Sequence, residues 1–313
     1  MNDSNNHFPG IHVRAVRWAL IVALLAYGAL LWIYRADVAG GADSSGYLNA
    51  ARLLSHGAIR VEPRIPPGVS EDPRIFKAFI PFGFRAGLDD RTMVPVYSIG
   101  LPIQMAAATM VLGEAHGPFV IVPLLAILGV ALVYKLGRQF GLPRSGAAFG
   151  AMVLAASPIY VFQGLQPMSD LPSTVWVLAA IVAALEAHRD PRFSFLAGFA
   201  FGLAVVTRPT STLAVLGLLF AMPWNLRSFV LVGLGGLPWA AFLLGFNTLA
   251  YGNPFQTGYG SNSQAAIYMS LGFLPERLRH YALWMAALFT PWLLAGWFAS
   301  PAVRSIDPSD ARC

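Results

Sequence analysis

Cysteine is all but absent from this chain: the single one, Cys313, is the last residue. No disulfide can form within the chain, and no cysteine cluster can hold a metal. The six histidines, His7, His12, His56, His116, His188 and His280, are scattered and form no HxxxH pair. Charge is scarce as well. Asp, Glu, Lys and Arg make up 12% of the residues, against about 25% in a soluble domain. No basic stripe is interleaved with aromatics, which excludes nucleic acid as a partner. What abounds is apolar: 56% of residues are hydrophobic and the mean hydropathy is +0.59. These values describe a polytopic membrane protein. The net charge of +6 then reads as loop charge that orients spans and touches anionic lipid.

The apolar runs, uncharged apart from Arg17 in the first, are 16–34, 94–112, 118–134, 146–165, 171–185, 193–206, 210–224, 229–251 and 282–300. The first follows Arg14, holds Arg17 as its second residue and is 19 residues long. A signal-peptide core has roughly 7–15 residues, so this run reads as an uncleaved signal-anchor, with the chain beyond Tyr34 outside the cytoplasm. The runs 193–206 and 210–224 fall short of the ~17–25 residues of a crossing and read as a tight hairpin sheltered by other helices. The short loops KLGRQFGLPR, HRDPR and NLRS carry Lys135, Arg138, Arg144, Arg189, Arg192 and Arg227 and belong in the cytoplasm. All of them fall inside only if one run before residue 118 does not cross. The run 94–112 holds Pro95, Gly100, Pro102 and Gln104 and is the one to demote, to a juxtamembrane or re-entrant piece on the outer side.

The resulting expectation is an all-α polytopic membrane helix bundle. It has about eight transmembrane helices and a long first extracytoplasmic loop carrying juxtamembrane helices. Residues 1–34 are the cytoplasmic N-terminus and first span, 35–117 the outer loop, 118–300 a seven-span bundle and 301–313 a cytoplasmic tail.

Four polar features then share the outer face. In SSGYLNAARLLSHG, Tyr47, Leu48, Ala51 and Leu54 form an apolar stripe at helical spacing, while Asn49, Arg52 and His56 point away. This predicts an interfacial helix on the bilayer surface, with Asp43 either its N-cap or a carboxylate at the water edge of a site. Asp170 lies in a short outer turn before Pro172, as a helix cap or a second acid facing the same cavity. Arg208, in GLAVVTRPTSTL, either snorkels or supplies a fixed cation to an anionic group. The segment YGNPFQTGYGSNS, which includes Tyr259, reads as a shaped loop over a site. Arg277, Arg279 and His280 follow it, beside the interfacial anchors Tyr281 and Trp284.

The segments ADSSGYL, VPVYSIGLPI, SPIYVFQGLQPMSDLP, GLAVVTRPTS and YGNPFQTGYG, in this order, resemble the GT-C superfamily of membrane glycosyltransferases. The likeness is to the bacterial branch near protein O-mannosyltransferases and aminoarabinose transferases, as a compact or truncated member. The resemblance implies a polyprenyl-phosphate sugar donor and a glycan, lipid or protein acceptor. It implies an active site on the extracytoplasmic side of the inner (plasma) membrane. By the same resemblance Asp43 is the acid at the reacting centre, Asp170 the second acidic position and Arg208 the arginine of the TRP turn. Lys77 and Arg85 are further cations for the donor phosphate, and Tyr47 and Tyr259 complete the expected substrate contacts. Where the family pattern has Asp-Glu, or Asp followed by small residues, this chain has Asp43 followed by Ser44 and Ser45. A divalent metal is compatible with the two carboxylates but not implied by them. Two other readings stand beside the enzyme: a transporter or flippase for a lipid-linked or small polar solute, and a non-catalytic membrane subunit. Against the first, the polar groups gather at one face and no internal repeat is visible.

Overall fold

The apolar runs become helices almost one for one, joined by turns where glycine, proline and charge collect. The computed structural model describes residues 9–69, 73–89, 91–260 and 274–299. The chain forms two units, Met1–Gly258 and Tyr259–Cys313.

In the first unit, α1 (Pro9–Tyr34) is followed by α2 (Ala42–Ser55) and the short α3 (Pro73–Ala78). A two-stranded antiparallel hairpin comes next, β1 (Phe84–Ala86) with β2 (Met93–Pro95), in a register that pairs Arg85 with Val94. Its turn is pinned by Asp89, whose carboxylate accepts from the Thr92 hydroxyl at 2.6 Å and the Thr92 N–H at 2.9 Å. Those bonds, the hydroxyl's first, hold the Asp89 carboxyl below the usual range. Then come α4 (Gly100–Leu112), α5 (Gly117–Gln139), α6 (Arg144–Ala156), α7 (Pro158–Leu165), α8 (Asp170–Glu186) and α9 (Arg192–Thr207). A 3-10 turn (Pro209–Ala214) leads into α10 (Val215–Ala221), and α11 (Leu226–Tyr251) follows. The second unit contains α12 (Leu274–Ala299).

Among the described residues, α5 and α11 are long and apolar enough to cross a membrane. The pair α6 and α7 makes a third crossing if read as one span bent by 60°. The bend falls at Ser157–Pro158, where the proline cannot continue the backbone ladder of α6. The run 94–112 does not form one helix. Its first part is strand and turn, and the helix starts only at Gly100. Ile21–Tyr34, α9 and the stretch Pro209–Ala221 are apolar but short.

Two predictions about α2 are corrected. It was expected to lie on a bilayer surface, but its apolar face is covered by protein. Tyr47, Leu48 and Ala51 are buried in a core shared with Leu101 and Met105 of α4 and Leu171 and Val175 of α8. An amphipathic stripe states only that one face seeks an apolar partner, and here α4 supplies it. Of the two readings of Asp43, the N-cap is the one the structure does not form. The N-cap is Gly41, whose N–H donates to the Ser44 hydroxyl while that hydroxyl donates to the Gly41 carbonyl, both at 3.0 Å. Asp43 is left in the first turn, exposed, where its charge complements the helix N-terminus. The stripe's remaining member, Leu54, is half-buried, while Arg52 and His56 are exposed as expected.

The helices pack through small residues. A Cβ on Gly198 of α9 would sit 2.0 Å from the Val232 carbonyl oxygen of α11, and one on Gly202 would meet Trp239. The two helices therefore run parallel with their backbones in contact, the close approach that glycine allows in apolar surroundings. On the other side of the unit, Gly129 of α5 lies beside Tyr160 of α7, and Gly164 of α7 beside Ala126 of α5. That pair is antiparallel, and the Tyr160 hydroxyl donates to the Ala126 carbonyl at 2.9 Å.

Candidate active site

The helix directions bring the polar segments together at one end. Ala36, just past α1, donates its N–H to Leu165 at the end of α7 at 2.8 Å. Asp170 opens α8, and Arg208 closes α9 as its C-cap. These two, 38 positions apart, meet: Arg208 Nη1 donates to Asp170 Oδ1. Asp170 is not the cap of α8, since that position is Ser169. The pair is neither buried nor free, with side chains 43% and 41% exposed.

The pair forms part of the wall of an open cleft of about 310 Å³. Its other walls are Ser173, Thr174 and Val177 of α8 and Thr210 and Ser211 of the 3-10 turn. The Ser173 and Thr174 hydroxyls each donate to the Asp170 carbonyl at 2.9 Å, so toward a ligand they act as acceptors. Among the described residues the Thr210 and Ser211 hydroxyls have no partner and can donate or accept. A guanidinium, a carboxylate and a set of hydroxyls around one cleft suit a polar, hydroxylated or anionic ligand.

A buried layer behind the cleft holds the pair in place. Gln104 of α4 donates through Nε2 to the Gly100 carbonyl at 2.8 Å and to the Thr207 hydroxyl at 3.3 Å. Its Oε1 accepts from the Trp176 indole of α8 at 3.0 Å. Thr207 is fully buried and immediately precedes Arg208. One amide thus ties the end of α9 to the body of α8.

A second buried link reaches toward Asp43. The Tyr47 hydroxyl and the Ser169 hydroxyl are 2.9 Å apart, beside Asp170. Tyr47 stands one helical turn beyond Asp43 on α2, so the two side chains share a face. Tyr47 also packs against Tyr97, with ring centroids 5.3 Å apart. Asp43 itself makes no hydrogen bond or ion pair among the described residues. Gly83, in the turn before β1, lies against Gly46 so closely that a Cβ on it would come within 2.5 Å of the Gly46 Cα. The hairpin is thereby seated on α2.

The other expected cations are not drawn to the pair. Arg85, on β1, donates to the Gly258 carbonyl at 3.3 Å and lies over the Tyr251 ring at 5.8 Å. Lys77, in α3, is exposed. Tyr259 opens the second unit. Asp170 already gives an oxygen to Arg208, and no group of three His, Cys, Asp or Glu side chains among the described residues could hold an ion.

Ser169, Trp176 and Thr207 were not singled out in the sequence, although each bonds within the site. Gln104 did carry a signal, as a polar side chain inside an apolar segment.

Residues 100–249 match the family model of dolichyl-phosphate-mannose-protein mannosyltransferase. No curated protein and no solved structure matches the chain. The matched stretch begins at α4 and ends within α11, so it contains Gln104, Asp170, Thr207 and Arg208 and leaves out Asp43. Together with the membrane-spanning helices, the match supports an integral membrane glycosyltransferase of the GT-C superfamily.

Proposed function

We propose that the protein transfers a sugar from a polyprenyl-phosphate donor to an acceptor hydroxyl on a glycan, lipid or protein, outside the cytoplasm, with inversion at the anomeric carbon. The observation that carries this reading is the Asp170–Arg208 pair, which opens on a hydroxyl-lined cleft at one end of a membrane bundle. A lipid-phosphate sugar keeps its tail in the bilayer and its reacting carbon at the interface, where such a cleft is useful. The bundle crosses the inner membrane about eight times, with residues 35–117 and the cleft outside and the tail beyond 300 inside.

In this mechanism the Asp43 carboxylate accepts the proton of the acceptor hydroxyl. The freed oxygen attacks the anomeric carbon from the face opposite the phosphate. The carbon–oxygen bond to the phosphate breaks, and its electron pair leaves on the polyprenyl phosphate. That leaving group is stable as an anion, so no general acid is obligatory. Arg208 meets the growing charge. Asp170 occupies one of its five N–H donors and orients the fork, and the others are left for phosphate oxygens. Lys77 and Arg85 add long-range positive potential.

The test is to incubate the purified full chain with radiolabelled polyprenyl-phosphate sugars and acceptor extracts, with and without a chelator. Transfer of label to an acceptor, with release of polyprenyl phosphate, is expected. If no donor gives up its sugar to the purified chain, the reading fails.

A further inference from the structure

The end of the unit away from the Asp170–Arg208 pair has a character of its own. It gathers the turns between α5 and α6, α8 and α9, and α10 and α11. The gathering is shown by contacts across elements. Lys135 Nζ of α5 lies 3.6 Å from Glu186 Oε2 at the end of α8, and 5.5 Å from the centre of the Phe193 ring at the start of α9. Gln139 donates to Glu186 at 2.9 Å and to the Val182 carbonyl at 3.0 Å. The His188 ring is 3.1 Å from the Ala221 carbonyl at the end of α10. Because α9 and α11 run parallel, their first residues also lie at this end.

Six cations sit on these turns, Lys135, Arg138, Arg144, Arg189, Arg192 and Arg227, against two acids, Glu186 and Asp190. Both acids are already engaged. Glu186 takes Lys135, Arg189 at 3.9 Å and the Gln139 amide. Asp190 Oδ1 accepts the Arg192 backbone N–H at 2.9 Å. That leaves four cations without an acid among the described residues: Arg138, whose guanidinium donates to the Leu142 carbonyl, and the exposed Arg144, Arg192 and Arg227. The guanidinium groups of the last three have no partner of any kind among the described residues. None of the three stabilises its own helix. Each lies in the first turn of α6, α9 or α11, with no acid in that turn, where the helix dipole disfavours a cation. Exposed apolar side chains stand among them: Phe140 is 68% exposed, Trp224 73% and Leu226 80%. Rings and aliphatic groups interleaved with arginines match the boundary between lipid headgroups and acyl chains rather than open water.

We propose that this basic end is a binding surface for anionic phospholipid headgroups, with Arg144, Arg192 and Arg227 as its phosphate contacts and Phe140, Trp224 and Leu226 set into the acyl boundary. The surface belongs to the leaflet opposite the cleft, and the inference rests on the membrane placement alone, not on the transfer reaction. A cation near an anionic bilayer surface gains about fivefold in association, so three together give roughly a hundredfold.

The experiment compares the purified full chain with the combined variant Arg144→Gln, Arg192→Gln, Arg227→Gln. Melting is followed in neutral detergent alone, with added phosphatidylcholine, and with added phosphatidylglycerol. The wild-type protein is expected to melt higher with phosphatidylglycerol than with phosphatidylcholine, and this gap should shrink as salt rises. The variant should lose most of the gap, with phosphatidylglycerol half-saturation shifted up by about a hundredfold. In neutral detergent alone it should melt at or above the wild-type temperature, since the removed charges oppose their helix dipoles. A variant that keeps the full gap overturns the proposal. So does a variant that melts lower in lipid-free detergent, because the arginines would then serve the fold. Inorganic phosphate reproducing the whole shift with phosphatidylcholine present would also overturn it, by removing the need for a headgroup.

Discussion

Asp43 and Asp170 are the same residue type in different circumstances, and the difference assigns their roles. Asp170 is bonded to Arg208 and packed at the start of α8, whereas Asp43 is exposed in the first turn of α2 with no bond among the described residues. A general base needs an oxygen free to take a proton, and a positioning carboxylate needs a fixed partner. In the proposed mechanism Asp43→Asn is therefore expected to lower the transfer rate by about 10²–10⁴-fold. The melting temperature should stay close to wild type, because no bond of the fold is lost. Unaltered turnover in that variant removes Asp43 from the chemistry. Arg208→Lys keeps the charge and loses the planar fork, so the KM for the donor should rise by about tenfold or more. Stability should change by less than about 1 kcal/mol, because the pair is partly exposed. A KM that does not move would show that Arg208 is not the phosphate contact.

Among the elements, α4 is the one whose role differs most from its hydropathy. Its apolar composition suggests part of a span, yet it is a short helix that packs on α2 and carries the Gln104 bridge between α8 and α9. Gln104→Leu fits the apolar surroundings but leaves the Trp176 N–H and the buried Thr207 hydroxyl without this partner. Such orphaned groups cost about 1–3 kcal/mol each, so a clear drop in melting temperature is expected. Thr207→Ser preserves the bond and should behave as wild type, while Thr207→Val should fall between the two. If Gln104→Leu melts with the wild-type protein, the bridge carries no weight in the fold.

For the whole molecule the central matter is polarity between two ends. One end carries the Asp170–Arg208 pair, α2 and the outer hairpin. The other carries the six cations of the short turns. In the proposed orientation the basic short loops stay in the cytoplasm and the cleft faces outward. With Cys313 replaced by serine, Arg52→Cys on α2 should react with an impermeant thiol reagent added from outside. Ser145→Cys, exposed at the start of α6, should react only after the membrane is opened. Reversed labelling, or both positions reacting from one side, would overturn the orientation and the outward-facing cleft with it.

Composition and apolar run length, read from the residues alone, determined the class of protein and nearly every helix position. These properties are local: a helix inside a membrane satisfies its own backbone, so a run of apolar residues is enough to specify it. The periodicity of Tyr47, Leu48 and Ala51 likewise marked the buried face of α2. It could not tell whether lipid or protein covers that face. Asp170 and Arg208 were each ambiguous in isolation, one a possible cap and the other a possible snorkelling arginine. Only the tertiary structure decided that they meet across 38 residues, with Gln104 and Thr207 behind them. That pairing depends on which helix faces touch and how closely, as at Gly198 against Val232. Periodicity within one helix says nothing about the partner on the other side.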